Sequence, residues 1–406
     1  MLDLELIRTK PDQVKEYLTK RGEATDLVDD YLAAEAAWKK AGQDYEPLKA
    51  EQNQLSRGGK PSPENLKKAV LLKQKLEGLA KKVADLDQRR RKLWLGIPNI
   101  VLDDVPVGAG DTANTVIGQR GKVRVTEGRS HELLLAESSI RNSGLDLKTA
   151  AHFSGSRFRY LLGRAAKAHQ RLLGDAYERA IKTGFVPVIP PTLTRAETME
   201  RAGFFPFLQT DIFKIDGEDL YLTGTSEQTI LALVADQVID EKDLPLRLVG
   251  LSTCFRKEVG SYGKDVEGMF RQHQFDKVEL VSITTADQSA SELQRLVELE
   301  TRLVESYGLP YQLVMIGSGD LGATAAKKID LETWFPGQKR YRETHSASNC
   351  TDYQARRLNI KIRRQNGELE LAHTLNATLA TERLLLAIIE NNQRPDGSYQ
   401  LPRNLR

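Results

Sequence analysis

Apolar or small residues recur at Leu27, Tyr31, Ala34, Trp38, Ala41, Tyr45, Leu48 and Leu55, in alternating steps of three and four that Gln52 interrupts. That spacing is the seam of a coiled-coil helix. A second seam runs through Ala69, Leu72, Leu76, Leu79, Val83 and Leu86, meets Arg90 as a polar exception, and continues at Leu93 and Ile97. Between the two lies Arg57-Gly-Gly-Lys-Pro-Ser-Pro63, whose glycines and prolines end one helix and start the next. The segments therefore fold back as an antiparallel two-helix arm over residues 27–97. With about 28 residues per helix at about 1.5 Å each, it reaches roughly 40 Å from its root. Pro47 interrupts the first seam and predicts a kink or break near Gly42 to Glu46, while Lys10-Pro-Asp-Gln-Val-Lys-Glu-Tyr-Leu predicts a short helix starting at Pro11.

The formal net charge of +3 conceals an uneven distribution. Leu27 to Ile97 carries 15 Lys plus Arg against 10 Asp plus Glu, a local +5 that leaves the remainder at −2. Most of the excess lies between Glu64 and Ile97, with ten bases against four acids. Composition alone leaves two readings open, a solvated helix face or a strip that meets a phosphate backbone. The longest apolar runs, Ile230 to Ala235 and Leu384 to Ile389, are too short to span a bilayer. The acidic start, Met-Leu-Asp-Leu-Glu-Leu-Ile, does not suit a secretory or mitochondrial leader, so the cytoplasm is the expected address and no membrane partner is expected. With only Cys254 and Cys350, any metal must sit on oxygen or histidine ligands.

Gly96-Ile-Pro-Asn and Val105-Pro-Val-Gly-Ala-Gly read as a linker, giving an N-terminal helical arm at 1–104 and a larger body at 105–406. In the body, Phe158 to Lys182 has the period of a long amphipathic helix ended by Gly184, with extended segments at Leu220 to Leu222, Arg247 to Phe255, Gln274 to Ile283 and Tyr311 to Ile316. Neither a dinucleotide-binding nor a P-loop glycine pattern occurs. Strands joined by hairpins with irregular helices favour an α+β fold on a mostly antiparallel sheet.

The densest chemistry is in Cys254-Phe-Arg-Lys-Glu-Val-Gly-Ser-Tyr-Gly-Lys-Asp-Val-Glu-Gly-Met-Phe-Arg-Gln-His-Gln-Phe-Asp-Lys-Val-Glu-Leu280. Two strand-like ends flank a glycine-rich loop, and pairing them brings Arg256 and Arg271 to one end of a hairpin. Two planar, permanently charged forks suit a polyphosphate or a carboxylate. The plainer alternative is an exposed basic turn paired with Glu258, Asp265 and Glu267.

This segment resembles motif 2 of the class II aminoacyl-tRNA synthetases, and its wording is similar to that of the seryl-tRNA synthetase family in particular. Other stretches agree in the same order: Ser154-Gly-Ser-Arg-Phe, Pro190-Pro191 as in motif 1, Thr223-Gly-Thr-Ser-Glu227, Arg340-Tyr-Arg-Glu-Thr-His-Ser-Ala-Ser-Asn349, Tyr353-Gln-Ala-Arg-Arg357, and His373-Thr-Leu-Asn376 leading into motif 3. The basic arm resembles the same family's N-terminal arm, so the likeness covers the whole chain.

The resemblance implies that Arg256 contacts both the α-phosphate of ATP and the substrate carboxylate, that Arg271 holds the outer phosphates, and that Arg383 meets the γ-phosphate. Phe275 would stack on adenine, although a buried strand phenylalanine explains it equally well, and Lys257 and Glu258 would flank the nucleotide. Glu343, Thr344, His345 and Ser346 match an ATP stretch in which Glu343 and Ser346 hold Mg²⁺, a cation suited to oxygen ligands. Glu343 could otherwise pair with Arg340 or Arg342. His345 reads as structural, since a carboxylate nucleophile needs no base. Serine itself would meet Thr225, Ser226, Glu227, Arg256, Glu279, Asn376 and Thr378, with Glu279 accepting its hydroxyl. Asn376-Ala-Thr-Leu-Ala-Thr-Glu-Arg383 is read as opening the motif 3 helix, one residue shorter than the family pattern, with the deficit absorbed in the turn before it.

The resemblance further implies a homodimer joined through Gly184 to Pro191 and the helix before it, ATP and L-serine as substrates, and an arm that grips serine tRNA, with selenocysteine tRNA left open. Two rivals remain: a relative activating another small amino acid or loading a carrier protein, and a catalytically silent RNA-binding paralogue.

Overall fold

A computed structural model describes residues 1–57, 62–136, 144–259 and 269–406. The expected turn at 58–61 and the loop at 260–268, with Asp265 and Glu267, lie outside the described residues. The chain forms two compact units, Met1–Pro98 and Asn99–Arg406. This division falls before the boundary expected at 104, because the intervening strand of chain is bonded into the second unit. The Asn99 amide donates to Ala323 O at 2.8 Å, its side-chain Nδ2 reaches Thr324 O and Cys350 O at 2.8 Å each, and Leu102 N donates to Ala326 O at 3.1 Å.

In the first unit, α1 (Leu4–Thr9) and α2 (Pro11–Arg21) precede the long helices α3 (Asp26–Arg57) and α4 (Pro63–Leu95). Pro11 starts α2 as its missing amide hydrogen favours, and Ser62 caps α4 by accepting from Asn65 N. Tyr31, Ala34 and Ala41 are buried from one seam and Leu72 and Leu76 from the other. Arg90, the polar exception, lies over the Trp38 ring with its guanidinium carbon 4.3 Å from the centroid, so it packs as a cation on an aromatic face. Further along, Lys68 and Glu51 bridge the two helices at 2.7 Å. At the root, Arg8 Nε donates to both Glu35 oxygens at 3.0 and 3.1 Å, and Tyr31 OH donates to Glu35 at 3.2 Å. The break expected near Gly42 to Glu46 does not occur. α3 runs on through Pro47, which is exposed, so the Gln43 carbonyl deprived of its intrahelical partner faces water rather than a dry interior.

The second unit is built on an eight-stranded sheet of β1 (Thr115–Arg120), β2 (Val186–Val188), β3 (Leu246–Phe255), β4 (Gln274–Thr284), β5 (Tyr311–Met315), β6 (Lys327–Phe335), β7 (Arg340–Asn349) and β8 (His373–Thr381). Its order is β1-β5-β6-β7-β8-β4-β3-β2, antiparallel except that the edge strand β2 runs parallel to β3. Strand alternation gives the sheet two chemistries. On β4, Val278 and Leu280 join the main apolar core with α5 (Gly163–Lys182), α7 (Ser289–Ser306) and α8 (Glu382–Asn391), while Lys277 and Glu279 line a cavity. The short helix α6 (Glu227–Leu233) packs Ile230 and Leu231 with Leu248, Val281 and Ile283.

α5 begins at Gly163 rather than Phe158, because Tyr160 and Leu161 pair with Leu145 and Asp146 as a small ladder. The larger correction concerns motif 3: Asn376 to Thr381 completes β8, and the helix opens at Glu382. The alternating small and apolar residues there ladder against β4 from Thr374↔Ile283 to Thr381↔Lys277, with an irregularity between Thr378 and Ala380. Thr381 then caps α8 by accepting from Arg383 N at 3.2 Å.

Candidate active site

The hairpin anticipated from the sequence is present. β3 and β4 pair from Leu246↔Ile283 to Phe255↔Gln274, and the Arg256 amide extends the ladder by donating to His273 O at 3.0 Å. At its end a cavity of about 410 Å³ opens, walled by β4, β6, β7, β8 and the starts of α6 and α8. Arg256, Arg271 and Arg383 all line it.

Each guanidinium is held by neighbours. Arg256 donates through Nε to Gly224 O at 3.2 Å and lies 5.1 Å from the Phe275 centroid. Arg271 pairs with Glu258 at 3.2 Å, and Glu258 adopts a left-handed backbone (φ 52°) whose carbonyl accepts from Arg157 at 2.9 Å. Arg383 donates to Phe270 O at 3.1 Å and to Glu343 O at 3.1 Å, and pairs with the Glu343 carboxylate at 3.3 Å. The shortened motif 3 therefore still aims Arg383 into the cavity.

The same cavity holds an acidic pocket. Glu279 pairs with Lys277 at 2.6 Å and accepts from Thr378 Oγ1 at 3.4 Å. Glu227 accepts from Gln354 at 2.7 Å and from Asn376 at 3.1 Å, with Thr225 on the same wall. Burial is the main cause that pushes the Glu227 carboxyl up to about 7, and the neighbouring Glu279 adds to it. Burial raises Glu279 as well, against the opposing pull of Lys277 and Arg256. Across the cavity, burial also acts to raise Glu343, but Arg383, Lys328 and Arg256 together outweigh it and hold that carboxylate below the usual range. Lys328 in turn pairs with Asp330 at 3.0 Å.

Thr344, His345 and Ser346 reach the same cavity. Burial pushes the His345 imidazole down to about 3, and its Nδ1 is 2.8 Å from Thr344 Oγ1. The ring is buried and held neutral near neutral pH. Lys257 and Ser226 lie off the cavity wall. The Lys257 ammonium sits 5.7 Å from the Phe213 centroid, and Ser226 is buried against the sheet, where a Cβ at Gly250 would come within 3.0 Å of its Oγ. Lys328, which also lines the cavity, lies in a strand without a motif, where its alternation with Asp330 is the sequence signal available. Lys277 was legible only as the residue alternating with Glu279.

The model of the tRNA synthetase class II core domain (G, H, P, S and T) matches residues 212–392, and that of the seryl-tRNA synthetase N-terminal domain matches residues 1–101. A serine–tRNA ligase of Acidothermus cellulolyticus is 42% identical over 412 residues, covering 100% of this chain and 97% of the relative. The seryl-tRNA synthetase of Pyrococcus horikoshii, solved with ATP, superposes with a TM-score of 0.88 at 37% identity over 100% of this chain and 97% of its own. The cytoplasmic serine–tRNA ligase of Naegleria fowleri, solved with AMP, gives 0.83 at 31% identity over 100% and 96%. Full-length likeness at this level, joined to a cavity that gathers three arginines beside paired acids, places the chain in the seryl-tRNA synthetase family of class II aminoacyl-tRNA synthetases.

Proposed function

We propose that the protein activates L-serine with ATP to seryl-adenylate and pyrophosphate, then transfers the seryl group to the 3′ end of serine tRNA. The observation that carries this reading is the single cavity in which Arg256, Arg271 and Arg383 face Glu227, Glu279 and Thr378. ATP is the cosubstrate suited to the three guanidinium groups, and the nucleotide-bound relatives support it.

Serine carboxylate oxygen attacks the α-phosphorus as the bond to pyrophosphate breaks. The nucleophile is already anionic near neutral pH, so no general base is required. Arg256 aligns carboxylate and α-phosphate and stabilises charge developing on phosphorus. Arg271 and Arg383 take the outer phosphates, which requires Glu258 and Glu343 to share or release them. One face of the Phe275 ring lies under the Arg256 guanidinium, and its other face offers a surface for adenine.

The oxygen donors of Glu343 and Ser346 fit Mg²⁺, and Asp330, in register with Ser346 on the neighbouring strand, has a buried Oδ1 with no hydrogen-bond partner among the described residues. The ion would supply neutralisation of phosphate charge there. In the second step, a terminal ribose hydroxyl of tRNA attacks the seryl carbonyl and AMP leaves.

Serine selection rests on Glu279, held by Lys277 and Thr378 to accept the substrate hydroxyl, while Glu227, Asn376 and Thr225 face the ammonium. A site built to bond a hydroxyl rejects an analogue lacking it by roughly 10⁴ to 10⁵, so alanine is excluded. The Glu227 carboxyl also gives serine affinity a pH sign. Its free value is about 7. A bound ammonium favours the ionised form, so affinity is full above that value and falls as pH drops through it, by roughly tenfold per unit. Calorimetric titration with serine across neutral pH checks this. Glu227→Gln should flatten the profile, and an unchanged slope in that variant would contradict the assignment.

The basic α3–α4 arm would meet the phosphates of the tRNA, recognising shape more than base edges. A homodimer is supported by the edge strand β2 and the residue that follows it, where Val186 is 51% and Ile189 93% exposed, an apolar rim that a second copy would cover. The reading also places the protein with tRNA in the cytoplasm. Among the described residues no helix is long and apolar enough to cross a membrane. ATP–pyrophosphate exchange with each of the twenty amino acids tests the function: serine alone should sustain it, and exchange driven by another amino acid, or by none, would refute it.

A further inference from the structure

At the adenine-side wall, where Glu382 itself lines the cavity, lies a cluster that this mechanism does not use. His169 from α5, Asp276 from β4 and Glu382 from α8 bring ligand atoms within 4.8 Å of one another. His169 Nε2 is 3.1 Å from Asp276 Oδ2 and 3.7 Å from Glu382 Oε1. The spacing would suit a metal, but the Arg159 guanidinium already occupies the position of a cation, ion-paired to the Glu382 carboxylate. Glu382 is 4% exposed and His169 6%.

The cluster sits astride two cavity residues. Glu382 immediately precedes Arg383, and Asp276 immediately follows Phe275. The β4–β8 ladder ends at Lys277↔Thr381, where β8 turns into α8, and would leave the Asp276 amide without a strand partner. Glu382 Oε1 takes that place, accepting from Asp276 N at 3.0 Å. On the other side of Phe275, Arg159 Nη1 donates to Gln274 O at 2.7 Å. The peptide units on both sides of Phe275 are thus gripped by one ion pair, whose acid is also the first residue of the helix that carries Arg383. Thr253 Oγ1 fixes the remaining Asp276 oxygen at 2.7 Å.

From this geometry we propose that Glu382 is a positioning residue for the nucleotide: with Arg159 and His169 behind it, it holds Phe275 and Arg383 as one unit, so that adenine and γ-phosphate are met at a fixed separation. The acids proposed to select serine are held by other groups, Glu227 by Gln354 and Asn376 and Glu279 by Lys277 and Thr378. The inference rests on the reading of the cavity as an ATP and serine site.

Glu382→Ala removes the acceptor and leaves Arg159 and the Asp276 amide without it, so KM for ATP in serine-dependent exchange should rise about tenfold, the effect of losing a charge-assisted hydrogen bond. KM for serine should stay within about twofold on the same grounds. Glu382→Gln keeps an oxygen for the Asp276 amide and should restore most of the ATP affinity. Should the alanine variant fail to fold, Arg159→Lys, which loses the fork joining Gln274 O to Glu382, should show the same ATP-selective rise. Calorimetric titration of wild type and variants with ATP alone reads the effect without turnover. A wild type that binds ATP but shows no exchange would undermine the functional reading and leave this comparison decisive. An unchanged ATP affinity in Glu382→Ala, or KM values for both substrates that rise together, would overturn the inference.

Discussion

Arg256→Ala should lower serine-dependent ATP–pyrophosphate exchange by at least about 10³-fold, the scale reached when a preorganised donor to a developing anion is lost. The size follows from the position of the side chain. Arg256 leaves the hairpin where β3 ends, is anchored by Gly224 O, stacks on Phe275, and lines a cavity shared with Glu227, Glu279 and two further arginines. It is the group suited to touch both reactants at once, so its loss removes alignment as well as charge stabilisation. Arg256→Lys should recover only a small part, because a point charge cannot span two oxygens in the way of a planar fork. The Arg256 side chain packs at the cavity edge rather than in the apolar core, so thermal stability should change little. Near-normal exchange in Arg256→Ala would remove the residue from the reaction.

The second large effect concerns the arm. Removing residues 43–84 and joining Gly42 to Asp85 through a short glycine linker should leave exchange intact and reduce tRNA charging by roughly 10² or more at limiting tRNA, since several phosphate contacts vanish together. The cut is set by the packing. Trp38 and Arg90 pair below it, and the root network of Arg8, Tyr31 and Glu35 is retained, whereas the Lys68–Glu51 bridge lies in the deleted part. Binding of tRNA to the intact protein should weaken steeply with salt, and the slope should shrink in the trimmed form. Undiminished charging at low tRNA concentration would show that the arm is not a tRNA grip.

How legible these features were in the sequence depended on how local their signals are. The α3–α4 hairpin is written in a heptad pattern and a glycine-proline turn, and Arg256, Arg271, Glu279 and Glu343 sit in stretches whose wording alone suggested their company. Pro47 misled, because a proline breaks a helix only where its lost bond and displaced ring have no outlet, and solvent exposure is a tertiary fact. Asn376 to Thr381 misled for a related reason. Ala, Thr and Leu suit either helix or strand, and the decision lies with β4, distant in sequence, whose ladder captures them. The Arg159–Glu382–His169–Asp276 cluster was invisible, since four residues from separate elements meet only after the sheet is closed. Lys328 was hidden likewise, in a strand without a motif.

On the proposed reading, three guanidinium groups collect the triphosphate of ATP beside a pocket that accepts one small hydroxyl-bearing amino acid. A crystal structure of the protein with serine and a non-hydrolysable ATP analogue examines it directly. Arg256 should lie within hydrogen-bonding distance of both the α-phosphate and the serine carboxylate, with the serine hydroxyl on Glu279. A triphosphate bound elsewhere, with Arg256 and Arg383 still turned toward Gly224 and Phe270 alone, would contradict it.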